Sequence, residues 1–185
     1  MRQGTFYRIS DALKNTIHNH STMKQLLIFI IAIIFSPFSK AQTTDFPKSW
    51  EGDWRGEVSI FSAKATHQVP MSLVIQPIDS VSWSWTLHYE APNQSPRKYE
   101  LIQDKLGWKI DEKNGVILPQ QFIGNRLASS FSVEGSLLIC YYWLENDVLN
   151  MEIHAVSQEA NMMNEELGVG NHFIGSLQKA KLYRK

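Results

Sequence analysis

The chain predicts an all-β protein, an antiparallel up-and-down meander closing into a barrel of about eight to ten strands. Three observations carry that expectation. Short extended segments recur roughly every ten residues, each ended by turn-forming residues. In several of them apolar and polar residues alternate, and because successive side chains of a strand point to opposite faces, each such segment has one apolar wall and one polar wall. Between Gln42 and Lys185 only Ala160–Gly170 has helical composition. The sheet must therefore cover its own apolar face, and closing the meander also removes exposed edges.

Asp53–Ser62 and His67–Gln76 read as the first two strands. Pro77 and Asp79 then break the chain before the clearest one, Val81–Glu90. Here Val81, Trp83, Trp85, Leu87 and Tyr89 share one parity and Ser82, Ser84, Thr86, His88 and Glu90 the other. Pro92 through Pro96 ends it, and Lys98–Gln103 follows. Asn114-Gly115, the strongest short hairpin signal in the chain, separates Trp108–Asp111 from Val116–Leu118. In Arg126–Val133, Leu127, Phe131 and Val133 oppose Arg126, Ser130 and Ser132. Glu134-Gly135-Ser136 turns the chain into Leu137–Leu144, and Asn146-Asp147 turns it into Val148–Ser157. Ala160–Gly170 predicts a short helix or a mobile flap, and His172–Tyr183 is the final strand.

The 185 residues carry 18 basic and 18 acidic side chains, but the balance is uneven. Met1–Ala41 holds five of the basic residues and one acid, which leaves Gln42–Lys185 with 13 against 17, a net charge of about −4. No basic stripe of the kind that neutralises phosphates is present, so no nucleic-acid partner is expected. The ten-residue apolar run Leu26–Phe35 is short for a membrane span, which needs about 20 residues. Lys24 precedes it, and Ser39-Lys40-Ala41 places small residues at a cleavage site. Met23–Ala41 therefore reads as a secretory signal peptide, with Met1–Thr22 an over-extended start or a long n-region. Gln42–Lys185 reads as a single exported domain, periplasmic or extracellular. It is not expected to be a lipoprotein, because no Cys stands just after the apolar run to become a lipid-bearing N-terminus. The single cysteine, Cys140, excludes an intrachain disulfide framework and a Cys-based zinc ribbon.

Ser49-Trp50-Glu51-Gly52-Asp53-Trp54 opens the first strand, and Gly52-Asp53-Trp54 resembles the Gly-x-Trp motif of the calycin superfamily: lipocalins, fatty-acid-binding proteins and avidins. That resemblance implies a barrel in which Trp54 plugs one end and Arg184, near the C-terminus, packs across it. A guanidinium laid on an indole face gains roughly 0.5–2 kcal/mol. The second lipocalin motif, of Thr-Asp-x-x-Tyr type, is missing, as is the helical pair that fatty-acid-binding proteins carry after their first strand. The segment also resembles uncharacterised secreted proteins of Bacteroidota with the same Trp-x-Gly-x-Trp opening.

Signatures of catalysis are sparse. No Gly-x-Ser-x-Gly elbow, His-Glu-x-x-His pair or Walker loop occurs. His67, His88, His154 and His172 fall on separate segments without metal-ligand spacing, so neither a metal nor a cofactor is expected. Cys140, between Ile139 and Tyr141, reads as a buried thiol. Aromatic residues are the informative feature. All six Trp follow Ala41, and Trp83, Trp85, Tyr89, Phe131, Tyr141 and Trp143 are the expected lining of an interior site for a small hydrophobic or aromatic ligand, with Ala160–Gly170 as a flap. The sequence leaves a second interior open, the polar parity with His88, Arg126 and Ser130. It also leaves two rival functions. One is a protein-interaction module on a packed barrel, such as a secreted inhibitor or envelope assembly factor. The other is an enzyme using a perturbed His88, His154 or carboxylate.

Overall fold

A computed structural model describes residues 45–185; the expected signal peptide Met23–Ala41 and the stretch before it lie outside the described residues. A 3-10 turn, Lys48–Trp50, leads into β1 (Gly52–Ser62), β2 (Thr66–Pro77), β3 (Ser82–Tyr89), β4 (Arg97–Asp104), β5 (Gly107–Asp111) and β6 (Ile117–Ile123). There follow β7 (Arg126–Val133), β8 (Ser136–Glu145), β9 (Val148–Ser157), β10 (Met162–Asn164), β11 (Val169–Asn171) and β12 (Ile174–Arg184). Ten strands close into one barrel in the order β1-β12-β9-β8-β7-β6-β5-β4-β3-β2, and every pairing is antiparallel. Pairing β1 with β12 is what removes the edges.

Turn chemistry sets the register. Gly124-Asn125, Glu134-Gly135 and Asn146-Asp147 all have positive φ, the geometry of two-residue primed turns whose twist matches the strands they join. Asn114-Gly115 behaves differently from its expectation. It lies in a wider loop closed by the Glu112 amide donating to the Val116 carbonyl (3.0 Å), because Asp111 and Asn114 side chains accept from the Lys113 and Val116 amides and stabilise the broader turn. β6 runs on through Pro119 to Ile123, beyond the expected end at Leu118. Pro119 is paired with Lys109 on the β5 side, while pairing to β7 begins only at Gln121, so the missing N–H faces no partner strand.

The apolar parity faces inward. Val58, Leu73, Ile75, Leu101, Leu127, Leu149, Met151 and Leu182 are buried, whereas His88 and Arg126 take the opposite parity and Ser130 is exposed. The polar-interior alternative is thus corrected: burying the Leu, Ile and Trp side chains contributes roughly 1.5–3 kcal/mol each, which a polar interior forfeits. Ala160–Gly170 is neither a helix nor unstructured. It holds most of a two-stranded hairpin, β10 with β11, leaving the barrel between β9 and β12. Among the described residues no helix is long and apolar enough to cross a membrane.

Candidate functional site

The two ends of the barrel are built differently. At one end the segment before β1 folds under the barrel and fills it. Phe46 packs edge-on to Trp50 and Trp108 (4.7 and 4.8 Å between ring centres) and stacks on Phe122 (4.6 Å). Trp54 is fully buried and its indole N–H donates to the Trp50 carbonyl at 2.7 Å. Register places Arg184 opposite Trp54, with the guanidinium carbon 4.2 Å from its ring centre. The same guanidinium donates to the Glu51 and Ser49 carbonyls, tying the last strand to the leading turn. Gly52 has φ +148°, and a Cβ there would come within 2.5 Å of Arg184, so only glycine leaves room for this arrangement.

The other half of the barrel holds a cavity of about 170 Å³. Its floor is apolar, with Trp85, Leu87, Ile110, Leu127 and Ile153. Its lining also carries polar groups, on Tyr89, Tyr99, Tyr142, Arg97, Glu112 and Gln178. Trp85 and Tyr142 meet edge to face at 5.2 Å, which fixes the two largest rings against one another. The Tyr89 hydroxyl donates to Gln178 Oε1 at 3.3 Å, joining β3 to β12 across the interior. A second hollow of about 280 Å³ lies outside this link and shares Tyr89, Arg97 and Gln178 with the inner cavity. The inner space compares with the roughly 150 Å³ engineered cavity that holds benzene. Inner and outer spaces together reach the lower part of the roughly 300–1,000 Å³ range of ligand pockets.

Burial keeps the phenols and the thiol of the lining neutral. It pushes the Tyr89 phenol up to about 12, partly offset by the nearby Arg97 charge. Burial raises Tyr142 well above the ordinary phenol value, and raises Tyr99 with help from the Glu112 charge. The Cys140 thiol rises to about 11 through burial, partly offset by a hydrogen bond from the Ser129 side chain. Near neutral pH these groups are protonated, so the cavity offers phenol donors and an unreactive thiol.

Of the six expected lining residues, Trp85, Tyr89 and Phe131 border the cavity. Trp83 shares their parity but lies at the filled end, where its indole N–H donates to Glu51 Oε1 (3.0 Å) and its ring meets Trp108 at 5.9 Å. Tyr141 and Trp143 stand on the outer wall, with the Arg126 guanidinium carbon 5.9 and 4.1 Å from their ring centres. The inward residues of β8 are instead Leu138, Cys140 and Tyr142. Parity is the reason: Phe131 pairs with Leu138 and Leu127 with Tyr142, and paired residues share a face. Trp143 borders a wider trough of about 590 Å³ on the outer wall, with Glu57, Glu152, Lys179 and Lys181 along it. That trough is open along its length and cannot exclude water from an apolar guest. His88 and His154 are also on the outer parity, and His154 Nε2 lies 2.6 Å from Glu152 Oε1. Arg97, Tyr99, Tyr142 and Gln178 were missed as site residues; their pairing with the inward Leu87, Trp85, Leu127 and Ile153 puts all four on the inner face.

No family model matches the chain, and no curated protein matches it. Among solved structures, the S-type phycobiliprotein lyase CPES from Guillardia theta is similar over 75% of this chain and 89% of its own, at 12% identity and a TM-score of 0.51. The fold is a calycin-like barrel. The fluorescent protein UnaG is similar over 75% of this chain and 98% of its own, at 10% identity and a TM-score of 0.46. At these identities the likeness concerns the path of the chain.

Proposed function

We propose that this chain is an exported binding protein that holds a small hydrophobic or aromatic molecule inside the barrel and performs no chemistry on it. The cavity between Trp85, Phe131 and Tyr142 carries the reading. A barrel that served only as a scaffold for outer loops gains stability from filling that space, since lining atoms facing a void lose their dispersion contacts. The filled end of the same barrel shows that side chains of this sequence achieve such packing. Export is supported by Lys24, the apolar run Leu26–Phe35 and the small residues before Gln42. The neutral phenols and the thiol raised to about 11 favour holding a guest over attacking it.

Native mass spectrometry of the protein recovered from the exporting host tests this reading. The expected result is a reproducible extra mass that disappears on denaturation, on a chain beginning at Gln42. A bare chain that also takes up no aromatic compound when incubated with one contradicts it.

A further inference from the structure

The doorway between the inner cavity and the outer hollow holds a cation, Arg97, that forms no ion pair among the described residues. Arg97 starts β4 directly after Pro96, on the inward parity, and its guanidinium carbon stands 5.8 Å from the centre of the Tyr89 ring. It borders both spaces. Glu112 is the acid on the same cavity wall; its Oε2 accepts from the Asn114 side-chain amide at 3.2 Å, and it makes no ion pair with Arg97. Gln178 borders the same doorway with its carbonyl oxygen accepting from Tyr89, which leaves its amide N–H groups as unused donors among the described residues.

We propose that the guest is a small aromatic acid whose ring enters the inner cavity and whose carboxylate stays at the doorway against Arg97 and the Gln178 amide. This deepens the interior-ligand reading and rests on it. Volume sets the ring: about 170 Å³ admits one or two fused rings and excludes a long acyl chain in the inner space. Charge sets the other end, because a carboxylate accepts two parallel N–H bonds from a guanidinium, whereas an amine meets like charge. An uncharged apolar end would strip water from Arg97 without replacing it. Arg97 is exposed, so the gain is moderated by solvent and screened by salt.

The test is calorimetric titration at pH 7 with three compounds that share one ring and arm, 3-phenylpropanoate, 3-phenylpropanamide and 3-phenylpropylamine. The acid is expected to bind about tenfold more tightly than the amide, with the amine weakest. In Arg97→Gln the acid and amide should bind alike, whereas Arg97→Lys should keep part of the preference. Arg97 is exposed, so both variants should fold, which near-ultraviolet circular dichroism checks. Equal binding of acid and amide by the wild type, or a preference that survives in Arg97→Gln, overturns the aromatic-acid assignment and leaves the cavity as a ring site. Failure of all three compounds to bind overturns the interior-ligand reading together with the assignment built on it.

Discussion

The filled and hollow ends of the barrel are made from the same strands and the same inward parity, yet they solve opposite problems. β3 contributes Trp83 to the filled end and Tyr89 to the hollow end, six residues along one face. Trp83 is buried and its N–H has a protein partner in Glu51, whereas Tyr89 is half-buried and borders open volume on both sides. On β12, Arg184 lies on Trp54 and is held by two backbone carbonyls; on β4, Arg97 stands at the doorway without an ion pair among the described residues. At the filled end the rings pack on one another, and the Trp54 and Trp83 indole N–H groups have protein acceptors while that of the buried Trp50 has none among the described residues. At the hollow end side chains face a cavity instead of one another, so dispersion contacts are forgone and a guest can complete them.

That contrast predicts a graded set of effects. Trp54→Ala should be the most damaging, costing about 3–5 kcal/mol in urea unfolding, because it removes the fully buried ring beneath Arg184. A comparable loss at the hollow end, for instance from Tyr142→Phe, would erase the distinction between the two ends. Alkaline pH should act next, and on the hollow end. The Tyr89 phenol is held at about 12, above its unfolded value near 10, so the unfolded chain releases its proton first. The stability this contributes is complete below about pH 10 and lost as pH rises toward 12, up to about 2–3 kcal/mol. Cys140, at about 11 against 9, adds a loss that starts lower. Unfolding midpoints between pH 8 and 11 should fall in wild type and fall less in Tyr89→Phe.

Gly52→Ala should cost roughly 1–2 kcal/mol by displacing the Arg184 side chain, with ligand affinity unchanged, as read by thermal melting beside a binding titration. Smallest of all, Trp143→Ala on the outer wall should change affinity for an aromatic guest by less than about twofold, since it shares no contact with the cavity. A larger loss of affinity would place a binding surface on the outer wall.

Strand order, closure and the two-faced character of β3 were legible in the sequence because alternation there is complete from Ser82 to Tyr89, whereas which face turns inward was left open. β8 was not legible in the same way. Leu137 through Leu144 are all apolar or aromatic, so alternation could not separate Tyr141 and Trp143 from Tyr142. The information lay one strand earlier, because a two-residue turn at Glu134-Gly135 carries the inward parity of Leu127 and Phe131 onto Tyr142 and Leu138. Aromatic density likewise favoured the filled end: Trp83 and Trp108 are conspicuous residues there, while the hollow end depends on Arg97, Tyr99 and Gln178, each unremarkable in its own segment. Which end stays hollow follows from how summed side-chain volumes meet across the barrel, and that is a property of closure that no single strand displays.

The most direct measurement is anomalous scattering from a crystal grown with 3-(4-bromophenyl)propanoate. The bromine should lie inside the barrel, among Trp85, Leu127 and Tyr142, with the carboxylate at Arg97. Bromine on the outer wall beside Trp143, or none in the interior when the compound is at saturating concentration, would contradict a hollow end built to hold a guest.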